Sequence, residues 1–130
     1  MIDKVREIFT KEHFSEKHKV MADILRVLCL TYGRLWLSEL VGEVNAFRRT
    51  LGEFEELSFD KALKSIEELE KMGIVSSERR IRSSFISKSG IPDVLVNLND
   101  RSSVLTVVFS DEKYVRYIRL REEAFRELKK

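Results

Sequence analysis

Arg79, Arg80, Arg82 and Lys88 form the one cluster in this chain with an evident chemistry. Residues 78–90 set these four positive side chains against Glu78 alone, with Ser83, Ser84, Ser87 and Ser89 among them. Guanidinium, ammonium and hydroxyl groups are all donors, so the chemistry on offer is the holding of phosphate oxygens. Phe85 lies inside the run and could enter a groove or pack the base of a hairpin. The other reading of the same charges is a solvated strand edge that discourages pairing with further strands.

No other constellation carries a reaction. His13 and His18 are five residues apart, so one helix does not place them on one side. Neither has an acidic or cysteine partner at ligand spacing, and no metal site is expected. Cys29 lies in an apolar stripe without a nearby histidine and reads as a core residue rather than a nucleophile. Glu67, Glu68 and Glu70 read as a charged helix surface. There is no glycine-rich phosphate loop. The expectation is a non-enzyme without cofactors.

The chain has 130 residues, 43% of them apolar, which suits a single domain spanning 1–130. The net charge is +2, so any binding of nucleic acid must come from local clusters. A lone cysteine excludes an internal disulfide and points to a reducing, cytoplasmic setting. No apolar run approaches a membrane span, and the charged, periodic start does not read as a signal peptide. Charged residues make up 35% and glutamine is absent, a pattern resembling thermophile proteins.

These residues need elements to position them. Ile2, Val5, Ile8 and Phe9 predict a helix over 2–12, and Met21, Ile24, Leu25 and Leu28 a central one over 18–32 ended by Gly33. Leu35, Trp36 and Leu37 mark a short strand. Ser38 is the expected cap of a third helix with its stripe at Leu40, Val41, Val44, Phe47 and Leu51. Ser58 caps a fourth, with Phe59, Ala62, Leu63, Ile66 and Leu69 on one face and Gly73 at its end. A three-stranded meander is then expected: a strand from Ile74 continuing unevenly through Phe85 and Ile86, a turn at Ser87–Pro92, a strand at Val94–Leu98, and a last strand at Val104–Phe109. Ser110 is the expected cap of a terminal helix over 111–130.

On the fourth helix, Lys61, Lys64, Glu68 and Lys71 fall opposite the apolar face, flanked by Asp60 and Glu67. Spacings of four pair Asp60 with Lys64, Lys64 with Glu68, and Glu67 with Lys71. The face holds no Arg, Asn or Gln to read bases. It is either a helix whose lysines touch phosphates or an ordinary solvated surface. Residues 53–70 are strongly acidic, with seven acids against two lysines. Duplex DNA would avoid them, so contact through the basic hairpin is favoured over base reading by the helix.

From Leu35 to Arg82 the chain resembles the winged helix-turn-helix superfamily, most closely in ALKSIEELEKMGIVSS, where Leu63, Ile66, Leu69, Gly73, Ile74 and Val75 match the junction between recognition helix and wing. With its flanking helices, the layout is similar to MarR-like and related prokaryotic or archaeal regulators. The resemblance implies an α+β winged helix with a small antiparallel sheet and extra N- and C-terminal helices. It implies a cytoplasmic transcriptional regulator that binds duplex DNA through Lys61, Lys64, Arg79, Arg80, Arg82 and Lys88. It also implies a homodimer built from residues 1–15 and 111–130, with Ile2, Val5, Phe9, Tyr114, Tyr117, Ile118 and Phe125 in the interface. The alternative function is a winged-helix protein-interaction module within a replication or transcription assembly.

Overall fold

The structure, a computed structural model, describes residues 1–83 and 88–129. Among these residues it is an α+β fold of six helices and a three-stranded antiparallel sheet. In chain order the elements are α1 (Ile2–Lys11), α2 (Glu16–Leu30), β1 (Arg34–Trp36), α3 (Leu37–Thr50), α4 (Phe59–Lys71), β2 (Val75–Arg82), β3 (Ile91–Leu98), α5 (Arg101–Val108) and α6 (Glu112–Leu128). No helix among the described residues is long and apolar enough to cross a membrane.

The apolar stripe of α2 explains its central place. Met21, Ala22, Ile24, Leu25, Val27 and Leu28 are all almost completely buried, and α1, α3, α4 and α5 pack around them. Ser15 caps α2 by accepting from the His18 amide, so the helix starts two residues before its expected start. Tyr32 and Gly33 both take positive φ, 63° and 82°, and turn the chain into β1. A left-handed tyrosine is uncommon. Here its ring stays in solvent, with Arg101 over it at 5.9 Å.

The sheet order is β1-β3-β2, so the short strand at Arg34–Trp36 pairs with β3 rather than β2. β1 reaches only from Asn97 to Leu95 on that partner. Beyond it one edge of β3 is open, which is where a strand can tolerate Pro92 without losing a ladder bond. β3 therefore begins at Ile91, three residues before its expected start.

The strand expected at Val104–Phe109 is instead helix α5. Asp100 accepts from the Ser103 amide at 3.1 Å and from its hydroxyl at 2.6 Å, which nucleates the first turn. Val104, Val107 and Val108 then bury at helical spacing. The β-branched run favours a strand by propensity, and burial of this face with a strong cap outweighs it. The third strand of the sheet is thus β1, not this segment.

Two expected caps also move. The side chain of Asp111, not Ser110, accepts from the Tyr114 amide at 2.9 Å and starts α6. Ser38 lies inside α3, and its amide and hydroxyl both turn to Asp93 of β3. Ser58 and Gly73 behave as expected: Ser58 accepts from the Lys61 amide at 3.2 Å, and Gly73 has φ 76°.

Candidate nucleic-acid interface

β2 and β3 form a hairpin whose inner half carries the sheet's apolar contact with the helices. Val75 and Val96 are buried there. Its outer half runs past the core, and the residues from Glu78 to Ile81 are all exposed. Antiparallel pairing sets Arg79 against Val94 and Arg80 against Asp93, so the two arginines project to opposite faces of the ribbon. Lys88 is exposed in the turn that Gly90 closes. Phe85, and any extension of the strand to Ile86, lie outside the described residues.

The three arginines are not equivalent. Arg79 has no ion-pair partner among the described residues. Arg80 pairs with Glu78 at 3.0 Å, both more than half exposed, so solvent screens the contact. Arg82 Nε lies 3.2 Å from Asp93 Oδ2, close enough for charge attraction but too poorly aligned for a hydrogen bond, and its N–H is buried without an acceptor. Asp93 is itself committed. It accepts from the Ser38 hydroxyl, from the Ser38 amide at 3.4 Å and from its own neighbour's amide at 2.8 Å. A carboxylate from β3 thereby faces the N-terminus of α3, where its charge is favourable, and fixes the hairpin against that helix.

Between hairpin and helices lies a cleft of about 530 Å³. Phe59 and Leu63 of α4, Leu37 of α3, and Ile81, Ile91 and Pro92 of the hairpin give it apolar walls, with Arg79, Arg80 and Arg82 at its rim. Phe59 is half exposed and Ile81 more so. The apolar spacing of the sequence places Phe59 on the stripe of α4, whereas Ile81, Ile91 and Asp93 reach the site only through the register of the hairpin. The signal available was period two along 79–82, which puts Ile81 on the same side as Arg79.

The α4 face is less available than its sequence suggested. Lys61 pairs with Glu16 at 2.6 Å, and Glu68 with Lys17 at 3.3 Å. These pairs run across to α2, over a second cleft of about 410 Å³, and replace the expected pairs four residues apart along α4. The first turns of α2 lie beside α4, so cross-helix partners are nearer than those along the helix. Lys64 is exposed on the same cleft.

A buried ion network went unread in the sequence. Arg26 is completely buried and donates to Asp111 at 2.7 and 3.0 Å, to Asp23 at 2.8 Å and to both oxygens of Glu12, one of them at 3.0 Å. Arg48 donates to Asp23 at 2.9 Å and to the Glu55 carbonyl at 3.0 Å. Lys19 reaches Glu53, and Lys113 lies 3.2 Å from it. The acidic connector that follows α3 is thus partly neutralised by its own molecule. Burial alone would make Arg26 easier to deprotonate, but the hydrogen bonds it donates to Asp111 and Glu12 reverse that and keep it charged. Burial raises the Glu53 carboxyl, and Lys19 and Lys113 more than offset this, leaving it below the usual carboxylate range.

The expected interface residues divide. Val5 and Tyr114 are buried within the chain's own core, and Ile2, Phe9, Tyr117 and Ile118 are partly covered by it. The Phe9 ring is engaged by Arg26 at 4.9 Å. α1 is therefore an integral layer against α2 and α5 rather than a free extension. Phe125 alone of the seven stays well exposed.

No protein-family model and no curated protein matches this chain.

Proposed function

We propose that this chain is a winged-helix protein that binds duplex DNA through the β2–β3 hairpin as a wing, in the service of transcription regulation. The observation that carries the reading is the hairpin itself, which leaves the core at Glu78 and presents Arg79 and Arg80 on its two faces. Arrangement supports it too: α2, α3 and α4 precede the hairpin, a short strand after α2 completes the sheet, and α4 leads straight into the wing. Phosphate contacts dominate, because the outward face of α4 carries no Arg, Asn or Gln to read bases and two of its charges, Lys61 and Glu68, are already engaged with α2. Binding of this kind is weakly selective and strongly salt-dependent. The reading assigns no catalytic step and no cofactor.

A protein-interaction module is the second reading, and the apolar cleft beneath the arginines favours it. Half-exposed Phe59 and exposed Ile81 suit an apolar side chain of a partner better than a phosphate.

The test is fluorescence anisotropy with a random-sequence duplex at two salt concentrations. Arg79→Ala with Arg80→Ala should weaken binding alike on every sequence and flatten the salt slope by about one unit per lost contact. Binding untouched by that pair of changes, or no salt-dependent binding at all, overturns the proposal and leaves the cleft as the working surface.

A further inference from the structure

The sheet has an inner face that joins the core and an outer face that does not. Alternation along the strands puts Leu35, Val75, Val94, Val96 and Leu98 on the inner face, all buried in the core or packed against it. The outer face carries Trp36 across from Leu95, with Arg34, Asn97 and Ser76 in the next row. Among the described residues, neither Trp36 nor Leu95 joins the core. Leu95 is buried all the same, so side chains of the outer face cover it, and Trp36 is its direct cross-strand neighbour. Trp36, the single tryptophan of the chain, is half-buried.

The β1 end of this face holds unengaged polar groups. Among the described residues, the side chains of Arg34, Asn97 and Arg101 make no hydrogen bond and no ion pair. Arg101 stands at the start of β1, its Cδ 3.6 Å from the position a Gly33 Cβ would take, and lies over the Tyr32 ring. That ring is 83% exposed on a left-handed backbone, a conformation that costs stability while the fold gains no burial from it. The nearby acids are committed elsewhere. Glu78 pairs with Arg80, Asp93 accepts from Ser38, and Asp100 caps α5.

We propose that the outer face of the sheet binds single-stranded nucleic acid, with one base stacked on Trp36, another on Tyr32, and the backbone held by Arg34 and Arg101. This surface is separate from the hairpin's duplex contact and does not rest on it. The occupant follows from the chemistry. An aromatic ring takes a base by its flat face, which a duplex keeps inside its stack and a single strand offers. Asn97 supplies both a donor and an acceptor for a base edge. The two free guanidinium groups match phosphates. From Tyr32 to Trp36 is at most about 13 Å of extended chain, room for splayed neighbouring bases. A protein partner would need continuous apolar surface, and here Leu95 is already covered and Arg34 separates the rings.

Trp36 emission reads the contact directly. Titrating the full chain with oligothymidylate or oligouridylate of about 12 nucleotides should quench it and saturate. A duplex of equal length, held at the hairpin, should leave the emission unchanged, and inorganic polyphosphate should not quench it. Tyr32→Asn, which tolerates the left-handed backbone, should weaken oligothymidylate binding about tenfold with melting unchanged. Arg34→Ala should weaken it and flatten its salt slope by about 0.7 units. Arg79→Ala, on the other face of the hairpin, should leave it unchanged. Tighter binding of one oligonucleotide supports the site and identifies the sugar it prefers. Emission unquenched by both overturns the proposal, as does quenching that polyphosphate reproduces or binding that Tyr32→Asn leaves intact. None of these outcomes bears on the duplex reading, which stands or falls on duplex anisotropy with Arg79 and Arg80 changed.

Discussion

Arg26 and Asp111, 85 residues apart in the chain, meet through two hydrogen bonds of 2.7 and 3.0 Å in the interior. The same carboxylate accepts from the Tyr114 amide and caps α6. One side chain thus anchors the last helix to the central one and sets its starting direction.

Removing one partner should be costly. Asp111→Ala leaves a buried guanidinium short of an acceptor and a helix without its cap. The expected loss is about 3–5 kcal/mol, measured by urea unfolding. Arg26→Met with Asp111→Leu should cost more than Asp111→Ala alone, because it leaves the buried Glu12 and Asp23 carboxylates without the guanidinium that both accept from. A smaller loss in the double variant would show that Lys113 and Arg48 suffice for those two charges.

Acid should loosen the connector after α3. The Glu53 carboxyl titrates below its unfolded value, so the folded state binds fewer protons. That stability is present above the usual carboxylate range and is lost as pH falls through the folded value. In Glu53→Gln the fall in thermal stability on acidification should be shallower than in the wild type. Identical pH profiles would count against the pairing with Lys19 and Lys113.

Arg79 and Arg82 should behave differently. Arg82→Ala removes the charge facing Asp93 and should lower both stability and nucleic-acid affinity. Arg79→Ala should lower affinity only, with melting within about 0.5 kcal/mol of wild type. Equal stability losses in the two variants would contradict the placement of Arg82 against Asp93.

Gly90→Ala should disturb the hairpin. Its φ is 80°, and an added Cβ would lie 2.4 Å from Ile81 Cγ2 and 2.7 Å from the Arg82 carbonyl oxygen. The left-handed backbone alone costs about 1–2 kcal/mol for a non-glycine residue. Chemical-shift changes should spread along β2 and β3 and leave α2 alone. A spectrum unchanged in the hairpin would show that the turn adapts.

Cys29 should be silent toward thiol reagents in the native protein. Burial pushes its thiol up to about 12, and Arg101 offsets this only in part. Labelling at neutral pH should follow global unfolding in urea. Rapid labelling without denaturant would mean that α2 opens locally.

Local patterns were enough to determine the helices α1 to α4 and α6, because each carries its own apolar stripe and most carry a readable stop. They determined the basic hairpin too, since Arg79, Arg80, Arg82 and Lys88 announce themselves by charge. Three things were decided only by tertiary structure. Val104–Val108 became a helix because the Asp100 cap and a buried face outweighed β-branched propensity. Asp93 and Ser38 met because β3 lies beside the start of α3, a pairing across 55 residues that no local spacing encodes. Arg26, Glu12, Asp23, Arg48 and Asp111 became a buried network for the same reason: a charged residue on an apolar helix shows its partners only once other elements bring them within 3 Å.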